Sequence, residues 1–411
     1  MNIERRDKKV FWAFPWTYKE SFVVVFTILF LGFALEYFSN SILSPLAFPN
    51  NLIVLGIYLF VLITSFLLFK NSKIIHWLRS PQLAIASISS ILILVILMGS
   101  FTQDLSSSLN WVNRFGLNRI AFSFPFLLSL FFFLTNLALV IIYRLKELNI
   151  RSLLFAVNHI GIFVVTISMM FSVGDIQKHT VKINKDNYLF ELNNNGITEE
   201  LPFALRLIDF ELELFPPKIA IIENATDEII SGNGFLLSAD TDSIIDYKGF
   251  NISVNRYLPK AVKQVDTYYF VNDVGFSPAA FLNIVYPNGD KIQKWVSCGS
   301  FVYPSEFASL DSNFTVAMLE PEAKSFLSKI QVSYPNQKQE EIVLRVNQPV
   351  SIKGWDIYQT DYDKEMGTWS DYSIVEMVYD PWLPVIYAGI FMLIIGAVLL
   401  MFAGQNSIGN E

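Results

Sequence analysis

The histidine at position 159 is the side chain of this sequence best suited to chemistry. It lies within the apolar segment 152–166, and the chain has only two other histidines, His76 and His179. In a helix that enters the membrane at Ser152, its ring lies about 10 Å deep at 1.5 Å per residue. An ionisable side chain at that depth is costly and is a functional candidate by default. Burial should keep the imidazole neutral, with one nitrogen free to ligate iron or to accept a proton.

Residues three, four and seven positions from His159 share its face of a helix. These are Ala156, Phe163 and Thr166. Small side chains there would let another helix or a flat ligand approach closely, and Phe163 could stack on a ring. We therefore predict a cofactor-binding face with His159 as the metal ligand and Ala156, Phe163 and Thr166 beside it.

Three interpretations of His159 stay open. It could be a structural histidine that hydrogen-bonds a neighbouring helix together with Asn158. It could belong to a proton relay, but the nearest carboxylate in an apolar segment is Glu36, which we expect at the surface. It could be an axial ligand of haem. A bis-histidine site within the membrane needs a second histidine, and neither His76 nor His179 lies in an apolar span, so that ligand would come from another chain.

The composition indicates which elements hold this histidine. Of 411 residues, 53% are hydrophobic and only 16% are charged, whereas an average soluble domain has roughly a quarter charged residues. Disordered, collagen-like, coiled-coil and disulfide-rich secreted proteins are excluded. Residues 173–381 contain 17 basic and 30 acidic residues, a net charge of -13, and the remainder contains 13 and 7, a net charge of +6. The sequence therefore predicts a membrane protein with a large acidic domain.

Six stretches are apolar and long enough to cross a bilayer: 21–37, 52–69, 83–101, 121–143, 152–172 and 383–402. Basic residues concentrate in the loops 70–79 and 144–151, whereas the segment 38–51 has none. Because basic loops stay inside, we predict six spans with both termini inside. The predicted regions are 1–80 with two spans, 81–172 with three, an extracytoplasmic domain at 173–381, and a last span with a short cytoplasmic tail at 382–411.

The predicted outer domain reads as β-rich and β-sandwich-like. Apolar residues alternate in many short runs separated by turn residues. A change of phase near Asp209 predicts a β-bulge, and Asn288-Gly289 predicts a hairpin with a type I′ turn. No motif of a catalytic site occurs there, so we predict no catalytic residue. Cys298 is the single cysteine, and we interpret it as a buried structural thiol.

Several motifs resemble the ResB/CcsB family of cytochrome c biogenesis proteins. The most specific is the segment 346–362, with Trp355, Tyr358, Gln359 and Tyr362 in the pattern K-G-W-x-x-Y-Q-x-x-Y. Further matches are the strand 201–211, the His-Ile-Gly at 159–161, and Asp380-Pro381 ahead of the last span. The resemblance covers about residues 83–402, so the first two spans are additional. It implies a structural role for the residues of the segment 346–362 and for Asp380 and Pro381.

The resemblance implies a task and partners. Members of this family act with a Trp-rich ResC/CcsA-type membrane protein in a two-part system, system II, which moves haem outward and joins it to apocytochrome c. His159 occupies the place of the proposed axial ligand, paired with a histidine of the partner. We thus expect haem b bound in transit, a non-catalytic subunit of a cytochrome c synthetase complex in the cytoplasmic membrane, contact with lipid, and no nucleic acid. The alternative is a membrane-anchored scaffold or sensor protein that binds no haem.

Overall fold

The structure is a computed structural model and describes residues 12–39, 43–104, 109–146, 149–194, 197–230, 236–240, 244–336 and 338–405. The chain divides into two compact units. One unit comprises Met1–Gln177 and Asp380–Glu411 and contains the apolar helices; we term it the membrane unit. The other, Lys178–Tyr379, is built from strands and is termed the β-unit.

The six predicted spans are confirmed as helices. Among the described residues, six helices are long and apolar enough to cross a membrane. In chain order the helices are α1 (Tyr18–Phe38), α2 (Asn50–Phe69), α3 (Lys73–Leu78), α4 (Pro81–Ser100), α5 (Asn110–Arg114), α6 (Phe124–Arg144), α7 (Ile150–Asp175) and α8 (Leu383–Gln405). Helices α3 and α5 are short and lie between spans.

Local sequence explains where several of these helices begin. Helix α4 starts at Pro81, whose missing N–H is not needed in the first turn, and the Ser80 hydroxyl accepts from the backbone N–H of Leu83 at 3.3 Å. Helix α7 follows Asn149, whose side chain accepts from the backbone N–H of Ser152 at 2.8 Å. Helix α6 starts three residues later than the predicted 121, because residues 120–122 form a separate 3-10 turn.

The β-unit contains strands in the order β1 (Gln177–Asn184), β2 (Leu189–Asn194), β3 (Ile197–Leu214), β4 (Lys218–Glu223), β5 (Glu228–Ile229), β6 (Leu236–Ser238), β7 (Ile244–Tyr247), β8 (Phe250–Gln264), β9 (Thr267–Phe270), β10 (Ser277–Val285), β11 (Lys291–Ser297), β12 (Ala308–Ser309), β13 (Phe314–Met318), β14 (Ala323–Ser333), β15 (Gln339–Arg345), β16 (Val350–Ile352), β17 (Trp355–Tyr362) and β18 (Tyr372–Tyr379). A short 3-10 turn, Gly367–Trp369, separates the last two strands.

These strands form four sheets that pack in pairs. Sheet 1 has the order β1-β18-β17-β16 and sheet 2 the order β15-β14-β3-β2. Sheet 3 has the order β12-β13-β4-β5, with β6 also on β4, and sheet 4 the order β11-β10-β8-β7, with β9 on β8. One buried cluster draws on sheets 1 and 2 and another on sheets 3 and 4. The predicted β-rich, sandwich-like domain is therefore confirmed as two sandwich cores.

The predicted bulge is confirmed, and the predicted hairpin is confirmed with a different turn. The pairing of β14 with β3 shifts register between Lys329↔Asp209 and Ile330↔Leu207. Strands β10 and β11 pair across the Asn288-Gly289 turn, but only Gly289 has a positive φ there, of 90°. The N–H of Gly289 donates to the carbonyl of Tyr286 at 2.9 Å, which puts Pro287 at the second turn position. A proline there favours a type I turn, so the predicted type I′ turn is wrong.

Candidate functional site

Helix α7 holds His159 half-buried in its first half. The ring Nδ1 lies 2.9 Å from the backbone carbonyl oxygen of Phe155, one turn earlier. Because a carbonyl only accepts, Nδ1 carries the hydrogen and Nε2 of the neutral ring keeps its lone pair. The Phe155 ring stacks on the imidazole with centroids 3.7 Å apart and planes at 22°. The ring is therefore held in one orientation with a lone pair left over.

A cavity of about 650 Å³ lies beside His159. It sits at the end of the membrane unit where α2 and α6 finish and α4 and α7 begin, which we term the His159 end. Much of its wall is apolar, with Phe133, Leu137, Val140 and Ile162 among the contributors. Its main polar side chains are His76, Arg79, Asn136, Tyr143, Arg144 and His159, and no acidic residue is among the described residues that line it.

Two arginines give this cavity its positive charge. The Arg79 guanidinium lies over the Tyr143 ring, 3.7 Å from the centroid. The Arg144 guanidinium lies over the Phe155 ring at 5.2 Å. Stacking on aromatic rings holds the planar guanidinium groups in place and keeps their positive charge at the cavity. The cavity thus combines a nitrogen donor, apolar walls and cations.

The three residues predicted to accompany His159 do not line this cavity. Ala156 is fully buried, Phe163 packs in a separate cluster with Leu130 and Ile167, and Thr166 lines another cavity of about 390 Å³. Phe155 and Ile162 flank His159 instead. These two lie about 40° and 60° to one side of His159 around the helix, whereas Phe163 and Ala156 lie about as far to the other side. Helical spacing alone does not distinguish the two sides.

The opposite side of α7 packs tightly on α8. A Cβ at Gly161 would lie 2.6 Å from the backbone nitrogen of Leu393, and a Cβ at Gly396 would lie 2.6 Å from that of Asn158. The Asn158 side chain donates to the carbonyl of Leu393 at 2.8 Å. Asn158 therefore joins two helices, as expected of a structural residue, while the hydrogen bond of His159 stays within its own helix.

The expectation that Glu36 lies at the surface is wrong. Its side chain is only 2% exposed, and its carboxylate accepts from the Arg119 guanidinium at 2.9 Å and from the backbone N–H of Phe124 at 3.0 Å. Gly116, with φ of 65°, lies so close that a Cβ would be 2.7 Å from the Glu36 carboxylate. Glu36 is thus part of a buried ion pair at the other end of the membrane unit, which we term the Glu36 end.

Asp380 and Pro381 lie at that same end and organise the start of α8. The Asp380 carboxylate accepts from the Ser172 hydroxyl at 2.8 Å and from the backbone N–H of Trp382 at 2.9 Å. The Trp382 indole in turn donates to Asp175 at 2.6 Å. These contacts fasten the end of α7 to the beginning of α8.

The aromatic motif of the segment 346–362 forms strand β17 and packs inside the β-unit. Trp355 is buried beside Tyr379, with ring centroids 5.4 Å apart. Gln359 is buried and donates to the carbonyl of Asp361 at 3.1 Å, and the Tyr362 ring packs 4.9 Å from Phe326. Tyr358 is partly buried in the same strand. These positions favour a structural role for the motif.

Cys298 is partly buried and packs against the core of sheets 3 and 4. Burial raises the pKa of its thiol to about 12. The thiol therefore stays protonated near neutral pH, which favours the interpretation as a structural residue.

Fold and site together define a polytopic membrane protein with a β-rich domain between its last two spans and a histidine-containing cavity in its helices. The model of the ResB-like family matches residues 149–371, which is more than half of the chain. The chain belongs to the ResB-like family, so the predicted resemblance is confirmed. This membership supports a role in cytochrome c biogenesis. The matched residues include His159 and end within the β-unit.

No curated protein matches the chain. Among solved structures, the chain is similar to "Cytochrome c Heme Lyase CcmF", with 9% identity and a TM-score of 0.24 over 94% of this chain. The chain spans 46% of the length of that protein.

Proposed function

We propose that this protein is the ResB-like subunit of a membrane complex that delivers haem for cytochrome c assembly, with His159 as an axial ligand. The observation that carries the proposal is the oriented ring of His159, whose Nε2 lone pair is free beside a cavity. Metal-ligating histidines commonly donate their other ring N–H to a backbone carbonyl, as His159 does to Phe155. Family membership supplies the biological setting.

The cavity residues fit haem as the transported cargo. Its volume of about 650 Å³ lies in the usual range for ligand pockets of about 300–1,000 Å³. The apolar wall and the Phe155 ring suit the flat macrocycle, and Arg79 and Arg144 suit its two carboxylates. His159 would hold the iron and fix the orientation of the ring, while the apolar wall limits access of water.

We further propose that the attachment chemistry belongs to other chains. The subunit is non-catalytic in this account, works with a Trp-rich ResC/CcsA-type protein, and presents haem where apocytochrome c receives it. In this proposal the basic loops face the cytoplasm. The His159 end would then lie at the cytoplasmic side of the cytoplasmic membrane, and residues 173–381 would lie in the periplasm.

The proposal is tested with the chain and its partner expressed together. We expect His159→Ala to lower the haem that co-purifies with the complex, and the yield of holocytochrome c, by at least about tenfold, since even outer-shell partners of metal ligands are worth 10–100-fold. His179→Ala, which removes a histidine of the β-unit, is the matched control and should change neither quantity. Unchanged haem and holocytochrome c in His159→Ala would overturn the proposal and favour a scaffold or sensor without haem.

The acidic β-unit provides a second test of the same function. Residues 173–381 have a net charge of -13, which would attract a basic apocytochrome c. We expect its binding to the full chain in nanodiscs to weaken strongly between about 0.05 and 0.5 M salt, because the screening length shrinks across that range. Binding that is equally tight at both concentrations would remove the role proposed for this charge.

A further inference from the structure

A second histidine lines the cavity beside His159. His76 belongs to α3, the short helix between the second and third spans, in the N-terminal region that the family model does not match. Because both other histidines lie outside the apolar spans, the sequence predicts that the second haem ligand comes from another chain. The fold instead brings a loop histidine of the same chain to the cavity.

We infer that His76 is the second axial ligand of haem in this chain, so that His76 and His159 form a bis-histidine site within one polypeptide. The inference rests on the proposed function of His159 as a haem ligand. The additional N-terminal region thereby gains a role, because its His76 completes a site that accepts haem before the partner takes part.

The ring of His76 is prepared for this role in the same way as that of His159. Its Nδ1 lies 3.0 Å from the backbone carbonyl oxygen of Ser72, one turn earlier. Nδ1 is therefore the donor, and the Nε2 lone pair of the neutral ring is left for a metal. Two histidines that line one cavity with the same nitrogen free can supply the two axial nitrogens of a six-coordinate haem iron.

The segment that carries His76 is fixed to the membrane unit. The neighbouring Trp77 is buried and its indole donates to the Ser21 hydroxyl of α1 at 2.9 Å. The buried Asn136 of α6 donates to the carbonyls of Leu78 and Ser80 at 2.8 and 3.1 Å. The position of His76 relative to α6 is thus set by hydrogen bonds from two separate spans.

Arg79 follows His76 on the same segment and adds the charge that haem needs. Within the described part of the chain it forms no ion pair, and its guanidinium is held flat on Tyr143. It can therefore bind a haem carboxylate without first giving up a carboxylate of the protein.

The proposed pair of ligands is also compatible with transfer of haem by ligand exchange. In a transfer of haem to the partner, the bond from the iron to His76 Nε2 would break and a bond to a nitrogen of the partner would form. One neutral donor replaces another, so the exchange needs no oxidant, reductant or proton. His159 can hold the iron throughout.

The inference is tested with the full chain purified without its partner, reconstituted in nanodiscs and titrated with ferric haem. We expect the wild type to give the absorption and electron paramagnetic resonance spectra of a six-coordinate low-spin haem. His76→Ala should give a high-spin spectrum and bind haem at least about tenfold more weakly. Added imidazole should restore the low-spin spectrum of His76→Ala, and His179→Ala should match the wild type.

The variants separate this inference from the proposed function. If His76→Ala keeps the wild-type low-spin spectrum while His159→Ala loses it, His76 is not the ligand and the proposed function stands. If neither substitution alters the spectrum or the affinity, both proposals fail. A high-spin spectrum of the wild-type chain that becomes low-spin only when the partner is added would also overturn the role of His76. Circular dichroism and a monodisperse elution profile identify variants that have misfolded. If His76→Ala misfolds, His76→Met replaces it, and its spectrum should shift to that of a His/Met haem.

Discussion

At the Glu36 end of the membrane unit the buried carboxylate is fully engaged by Arg119 and a backbone N–H, whereas at the His159 end two histidine rings each keep a nitrogen free beside a cavity. Both ends contain ionisable side chains in helices that cross the membrane or in the loops beside them. The two ends differ in whether the ionisable groups are satisfied within the chain. A buried group whose hydrogen bonds and ion pair are all made within the chain stabilises the fold. An oriented histidine ring with an unused lone pair at a cavity is available to a ligand.

The largest expected effect on stability is at the Glu36 end. Glu36→Leu leaves the Arg119 guanidinium buried without its counter-charge, which should lower the free energy of unfolding by about 3–5 kcal/mol. Thermal unfolding of the purified chain in detergent measures the change. The double variant Glu36→Leu/Arg119→Leu should recover most of the loss, because the unpaired charge is gone. A single variant as stable as the wild type would remove the contrast between the two ends.

A smaller effect is expected where α7 packs on α8. Gly161→Ala puts a Cβ 2.6 Å from the backbone of Leu393, and forcing the helices apart should cost about 1–3 kcal/mol. The matched control is Gly56→Ala in α2, where a Cβ would meet nothing within 4 Å. The control should keep the wild-type stability or gain up to about 1 kcal/mol from helix propensity. Equal unfolding temperatures for both variants would show that the close helix contact contributes little.

The smallest effect on stability is expected for Cys298. Here the quantity that should change is the reactivity of the thiol. Its pKa of about 12 keeps the thiolate fraction at pH 8 near 10⁻⁴, against roughly a quarter for an ordinary thiol of pKa about 8.5. Labelling by a disulfide reagent at pH 8 should therefore be at least about 100-fold slower in the native chain than in the chain unfolded by denaturant. The native rate should rise about tenfold for each pH unit up to the pKa, because only the thiolate reacts. Equal rates in native and unfolded chains would contradict the structural interpretation.

The sequence predicted those features of the fold that depend on local patterns. Hydropathy located the six spans, since a span needs about 20 apolar residues, and the phase change at Asp209 located the bulge in β3. The pair Asn288-Gly289 predicted the hairpin correctly. The predicted turn type is wrong because Pro287 at the second turn position favours a type I turn.

Only part of the candidate site could be predicted from local sequence patterns. His159 could be singled out because a histidine in an apolar segment is rare, but the side of the helix that faces the cavity depends on where α4 and α6 pack. The placement of His76 depends on Trp77 reaching Ser21 and on Asn136 reaching Leu78, 56 and 58 residues away along the chain. Helical spacing and hydropathy carry no information on such long-range contacts. The burial of Glu36 was missed for the same reason, because its partner Arg119 lies 83 residues further on.

The central claim, that Nε2 of His159 binds haem iron, is tested most directly by labelling the three histidines of the chain with ¹⁵N. Pulsed electron paramagnetic resonance of the ferric haem complex should then show hyperfine coupling to ¹⁵N of the protein. In His159→Gly supplied with unlabelled imidazole, the account predicts that the coupling assigned to this ligand is replaced by that of ¹⁴N. An unchanged ¹⁵N coupling in His159→Gly, or no ¹⁵N coupling in the wild type, would contradict it.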